Sequence, residues 1–358
     1  MIRSFSPLRT AALATSLAGA ASLVLVSAGG LVPAAPTFQV STTAYNGLCD
    51  ASAAIALSAS QFAVFNDEDN RLRFFTMGNG TPSAPDIDLD AFLGTGAGKE
   101  SDIEGAARIG DVVYVITSHG RNSKGEVQER RLRFFALHVT SGGTPLMKTE
   151  GRPYRDLLET FIEPILKAEG FTAIPGGKPD PAKAPEMEGS LNIEGLAASG
   201  TSLLIGFRNP QPKLNGSARA LVVELKNPAA LITATPAAPE KGAIFKLDLG
   251  GRGIRSFEAL PAGRGFAIVA GPFNDIGAFA LYRWDGTQGS APVLESGVDF
   301  SGFNPEALFL NPPAPGSPSK ALSLTLLSDD GGRKIEGTQC KDLPKDRWRT
   351  RLGTVTLE

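Results

Sequence analysis

From residue 49 onward, short apolar runs alternate with small polar clusters, and the same order returns five times. Each round opens on an acidic residue set among small ones. The copies are Ile103-Glu104-Gly105-Ala106-Ala107, Ile193-Glu194-Gly195-Leu196-Ala197, Phe257-Glu258-Ala259-Leu260 and Pro305-Glu306-Ala307-Leu308, with a degenerate copy at Cys49-Asp50-Ala51-Ser52-Ala53-Ala54. A β-rich run follows in each round: Phe62–Phe65, Val112–Ile116, Leu203–Gly206, Phe266–Val269 and Leu322–Leu327. A polar cluster ends it, and another strand-like run comes next, as in RLRFF at 71–75 or RALVVEL at 219–225. Short β-rich runs punctuated by turn residues predict an all-β fold, and a repeated unit of about four strands predicts a propeller.

Five units predict five blades. Fourth strands are expected at Ile87–Phe92, Leu146–Thr149, Ile244–Leu249 and Val293–Phe300, but the last unit has no residues left for one. Thr37–Ala44 belongs to no other unit, so it is expected to complete the last blade and close the ring, which leaves no exposed sheet edge. A β-sandwich is the alternative. The acidic positions 50, 104, 194, 258 and 306 are unevenly spaced, and the longest gap, 90 residues, holds an insertion at about 151–190 between the second and third blades. Within it Leu157, Leu158, Phe161, Ile162, Ile165 and Leu166 fall on one helical stripe, and Pro164 predicts a kink or two short helices.

Residues 1–35 read as a signal peptide: Arg3 and Arg9, an apolar stretch, then small residues around Pro33-Ala34-Ala35. A retained membrane anchor is the alternative reading. Cleavage would leave residues 36–358 as one monomeric propeller domain without a transmembrane segment, in the periplasm or outside the cell. Export permits a disulfide, and two cysteines allow one intramolecular pair, Cys49 with Cys340. Because the ring brings the first and last blades together, that bond would staple the closure, stabilising it by about 3–5 kcal/mol.

Composition narrows the chemistry. With 35 basic and 37 acidic residues, no bulk field favours nucleic acid. Two His and two Cys exclude a Cys-rich zinc site and leave few partners for a nucleophilic triad. In a propeller the loops before first strands and after second strands share one end. This gathers Asp50, Glu104, Glu194, Glu258 and Glu306 around the channel mouth, as possible ligands of a hard cation such as Ca²⁺. Pairing with Arg side chains, protonation, or hydrogen bonds to the next blade's backbone would equally account for them. Around them are expected His119, Arg121 and Arg208, candidate catalytic or anion-holding groups, with Asn122, Asn209, Asn274, Asp275, Asp329 and Asp330 as ligand-binding positions.

CDASAAIAL with NDEDNRLRFF, DIEGAARIGDVVYVITSHGRNSKGE, NIEGLAASGTSLLIGFRNP, GIRSFEALPAGRGFAIVAGP and NPEALFL with LLSDDGG occur in that order. Together they resemble the bacterial "domain of unknown function" family numbered 3616, which implies a propeller-like domain without fixing an activity. The Ile-Glu-Gly-Leu-Ala element is also similar to one in phytase-like propeller esterases, which use calcium to cleave phosphate esters. Two functions from different classes follow as expectations. One is a module that binds a cation or a small polar, anionic or phosphorylated ligand at the acidic and Arg-lined end. The other is a calcium-assisted phosphoesterase.

Overall fold

The computed structural model describes residues 36–140, 146–171, 178–313 and 321–357, and the expected leader at 1–35 lies outside them. Five four-stranded antiparallel sheets form the blades of a propeller. Blade 1 runs Ala51–Ala56, Gln61–Asn66, Asp69–Thr76 and Asn79–Asp88 from the axis outward. Blade 2 runs Ile103–Ile109, Val112–Thr117, Phe134–Val139 and Met147–Tyr154, and blade 3 runs Asn192–Ser199, Ser202–Asn209, Ala220–Leu225 and Lys241–Leu247. Blade 4 ends on a two-residue fourth strand, Val293–Leu294. Blade 5 takes its fourth strand from the other end of the domain: Phe38–Asn46 pairs with Arg349–Leu357 and closes the ring.

The innermost strands touch in the cyclic order 1-2-3-4-5-1, so every blade packs two neighbours. The apolar core is accordingly divided into clusters between blades, one each for pairs 1–2, 2–3, 3–4, 4–5 and 5–1. Small residues after the acidic position make this contact possible. A Cβ on Gly195 would lie 2.6 Å from Ile254 Cγ2 of the next blade, so a larger side chain would wedge the blades apart.

The insertion after blade 2 contains a π-helical turn, Leu158–Ile162, running into an α-helix, Glu163–Ala168. Pro164 sits in the first turn of the α-helix, where its missing N–H costs nothing, so the chain changes helix type there instead of kinking. Leu157, Leu158, Phe161, Ile162, Ile165 and Leu166 are all buried in the core between blades 2 and 3.

Cys49 and Cys340 form a disulfide, their Cα atoms 5.9 Å apart across 291 residues of sequence. It lies in a small buried cluster with Ile335, Leu343 and Trp348, beside the closing strands.

Candidate functional site

Each innermost strand begins with the same irregularity. Its pairing with the second strand slips by one residue at a β-bulge, spanning 51–53, 103–105, 193–195, 254–256 and 305–307 in blades 1 to 5. The extra residues are Ser52, Glu104, Glu194, Arg255 and Glu306, and a bulge re-aims its side chain relative to the strand. Two residues earlier stand Asp50, Asp102, Asn192, Gly253 and Asn304. These two tiers form the polar mouth of the channel.

This register corrects the sequence alignment in two blades. In blade 4 the equivalent of Glu104 is Arg255, three residues before Glu258. Glu258 pairs with Ala267 near the hairpin at the opposite end, where it lines a cavity of about 260 Å³ with Ala56, Arg108 and Leu310. In blade 1 the bulge position is Ser52, whereas Asp50 bridges to Asp329 of blade 5. The misplacement has a simple origin: Phe257-Glu258-Ala259 imitates Ile193-Glu194-Gly195 locally, but Ile254 is the residue that occupies the core position of Ile193. Aligning on the apolar residue before the bulge would have found Arg255 and Asp102.

The mouth is electrostatically divided. On the side of blades 3 to 5 the charges compensate. Arg255, 4% exposed, forms an ion pair with Glu194, its Nε 2.8 Å from Oε2, and donates from Nη2 to Glu306. Arg208 donates to Glu194 Oε1 at 2.8 Å and to Asp275 Oδ1 at 2.7 Å. Burial works against the charge of Arg208, but Glu194 and Asp275 outweigh it and hold the guanidinium above its usual range.

On the side of blades 1 and 2 the charges do not compensate. Asp67, Asp102 and Glu104 each bring a carboxylate oxygen within 4.8 Å of the other two. Arg131 pairs with Asp102 at 2.8 Å but also serves Glu100 at 3.1 Å. Asp67 Oδ1 is buried and accepts no hydrogen bond from the described residues, and the same holds for Ser52 Oγ at the neighbouring bulge. Burial, then Asp50 and Asp329, push the Asp67 carboxyl well above the carboxylate range. Burial, then Glu194, Asp102 and Asp67, do the same to Glu104. Burial also raises Asp102, against the pull of Arg131. Asp50 is pushed up to about 9 by burial and by Asp329.

The remaining sequence candidates build the mouth's framework. His119 is fully buried at φ 54°, its Nδ1 2.8 Å from the Thr117 carbonyl, and burial lowers its pKa to about 4. Arg121 is buried and donates to the Gly125 and Lys178 carbonyls, tying the blade 2 loop to the insertion. Asn209 donates to the Pro185 and Met187 carbonyls, anchoring the same insertion. Asn122 and Asn274 accept from backbone N–H groups of their own turns. Asp330 accepts from Arg351 and Ser328, and Asp329 from the Gly331 N–H.

Buried oxygens of Asp50, Ser52 and Asp67 are among the side-chain atoms left without a hydrogen bond, and oxygen is the ligand type of a hard cation. Oxygens on opposite sides of one Ca²⁺ stand about 5 Å apart at bond lengths of roughly 2.3–2.6 Å, so Asp67, Asp102 and Glu104 fit that ion.

Residues 180–296 match the family described as "Protein of unknown function (DUF3616)". No curated protein sequence matches the chain. Among solved structures, glutaminyl cyclase from Myxococcus xanthus is similar at 11% identity, covering 90% of this chain and 98% of its own, with a TM-score of 0.42. The allergen Mala s 1 of Malassezia sympodialis is similar at 10% identity, covering 89% and 95%, with a TM-score of 0.47. The PQQ-bound aldose sugar dehydrogenase of Streptomyces coelicolor shares 14% identity over 90% and 99%, with a TM-score of 0.42.

Proposed function

We propose that the protein is an exported binding propeller whose polar mouth holds one divalent cation, Ca²⁺, at Asp67, Asp102 and Glu104. The observation that carries this reading is the concentration of three carboxylates within 4.8 Å, with which, among the described residues, only the shared Arg131 makes an ion pair. On the opposite side Arg255 already plays the part of a tethered cation between Glu194 and Glu306. The repeat therefore meets its own crowding of carboxylates in two ways, with a built-in guanidinium on one arc and a bound ion on the other. Ligation would leave Ca²⁺ with coordination positions open toward the mouth, where a small polar or anionic ligand would bind.

Binding is favoured over phosphate-ester cleavage because the groups such chemistry would enlist are turned into the fold. Arg208 is held by Glu194 and Asp275, and His119 has no solvent-exposed surface. The disulfide is compatible with export, and among the described residues no helix is long and apolar enough to cross a membrane.

The test is metal content by mass spectrometry together with thermal melting in EDTA and in added CaCl₂. One bound Ca²⁺ and a stabilisation of about 2.7 kcal/mol at a hundredfold excess over Kd are expected, both lost in Asp67→Asn. Absence of metal, with identical melting in EDTA and Ca²⁺, would overturn the reading. A phosphate-ester panel run with Ca²⁺ present should show no turnover.

A further inference from the structure

A second charged site lies away from the axis, where the outer strands of blade 2 meet the insertion that follows them. Arg133 precedes the third strand of blade 2 and Arg155 follows its fourth, so both fall at the same end of the blade. The two guanidiniums converge on one acceptor: Arg133 Nε donates to the Leu93 carbonyl at 2.9 Å and Arg155 Nη2 to the same oxygen at 3.3 Å. Gly94 leaves the room for this. A Cβ there would stand 2.7 Å from Arg155 Nη2, on a residue already at φ +66°. Arg133 Nη1 donates to the Glu129 and Leu132 carbonyls, whereas its Nη2 has no hydrogen-bond partner among the described residues.

Among the described residues no carboxylate comes within 4.0 Å of either guanidinium, although Arg133 is only 5% exposed. Burial, then the neighbouring charge of Arg155, lower the Arg133 pKa to about 10. Both arginines line a cavity of about 450 Å³ whose other walls carry Glu129, Asp156, Glu159 and Glu163. Glu163 is engaged by Lys167 at 2.7 Å, whereas Asp156 and Glu159 are exposed and make no ion pair among the described residues. Opposite charges thus face one cavity without meeting across it.

We propose that this cavity binds a small zwitterion, its carboxylate on Arg133 and Arg155 and its ammonium on Asp156 and Glu159. A planar carboxylate suits a pair of guanidinium forks, and it would relieve the repulsion between them. The exposed acidic wall makes a plain anion a poor occupant and gives the site its selectivity. The site is independent of the cation at the mouth, and binding is expected to persist in EDTA.

Isothermal titration of the full chain with 4-aminobutyrate, butyrate and butylamine, all in EDTA, tests this. Saturable binding of 4-aminobutyrate is expected, about tenfold or more tighter than either half-molecule. Arg155→Gln, at an exposed position that should leave the melting temperature unchanged, is expected to weaken it by a similar factor. Glu159→Gln should weaken 4-aminobutyrate and, by removing part of the acidic wall, tighten butyrate. Absence of saturable binding, equal affinity for butyrate, or indifference to Arg155→Gln would overturn the proposal.

Discussion

Replacing Arg255 by Met tests the charge balance of the mouth most directly. The side chain is 4% exposed and lies between Glu194 and Glu306. Glu194 keeps Arg208 at 2.8 Å after the substitution, but Glu306 loses its one ion-pair partner among the described residues while remaining 7% exposed. Removing one member of a buried pair costs about 3–5 kcal/mol, because the other charge is left without compensation. At about 2.1 cal/mol/K per residue over roughly 320 residues, the unfolding entropy is about 0.7 kcal/mol/K, so Tm should fall by about 4–7 °C. Calorimetry at neutral pH reads this. The double variant Arg255→Met/Glu306→Gln should recover most of the loss. A Tm change below about 1 °C, or a double variant no better than the single, would refute the claim that Arg255 neutralises Glu306.

Three further outcomes are expected. Burial raises Glu258 to about 8 from an ordinary 4.5, so the stability tied to its protonated form is complete below 4.5 and is lost as pH rises through 8. The full shift corresponds to at most about 4–5 kcal/mol, reduced because the side chain is partly open to solvent, and Glu258→Gln should flatten the fall of Tm between pH 6 and 9. Cys49→Ser/Cys340→Ser should lose about 3–5 kcal/mol, read by urea unfolding, and reducing agent should then affect only the parent protein; an unchanged midpoint would show that the staple is dispensable. Gly195→Val drives a side chain against Ile254 and Phe257 and should cost about 1–3 kcal/mol, with a smaller penalty in an Ile254→Ala background, which lacks the clashing Cγ2.

The ring was readable in the sequence because its signal is redundant. Five rounds of apolar run, polar turn and second apolar run fix blade number even when one strand, Val293–Leu294, is nearly lost. The unassigned segment at 37–44 and the two cysteines at opposite ends pointed to the same closure, which Phe38–Asn46 and the Cys49–Cys340 bond make. The mouth was less readable, because a β-bulge leaves no mark in composition. Glu258 lay in a more convincing local pattern than Arg255, and only pairing with the neighbouring strand distinguishes them. Asp67 and Asp102 are distant from each other in sequence and meet only where blades 1 and 2 come together. Whether a polar loop side chain faces the channel or its own turn depends on hydrogen bonds that spacing does not encode, as Asn122 and Asn274 illustrate by accepting from their own turns.

Closure by the first strand has a kinetic corollary. Phe38–Asn46 precedes blade 1 in the sequence, yet its partner Arg349–Leu357 follows the other strands of blade 5. Until the two meet, the first strand has no native neighbour in its sheet, and blade 5 has no complete edge. Assembly therefore waits on a contact of nearly maximal sequence separation, the kind that slows a β-fold. Oxidation of Cys49 and Cys340 then ties the two ends of the closed ring covalently.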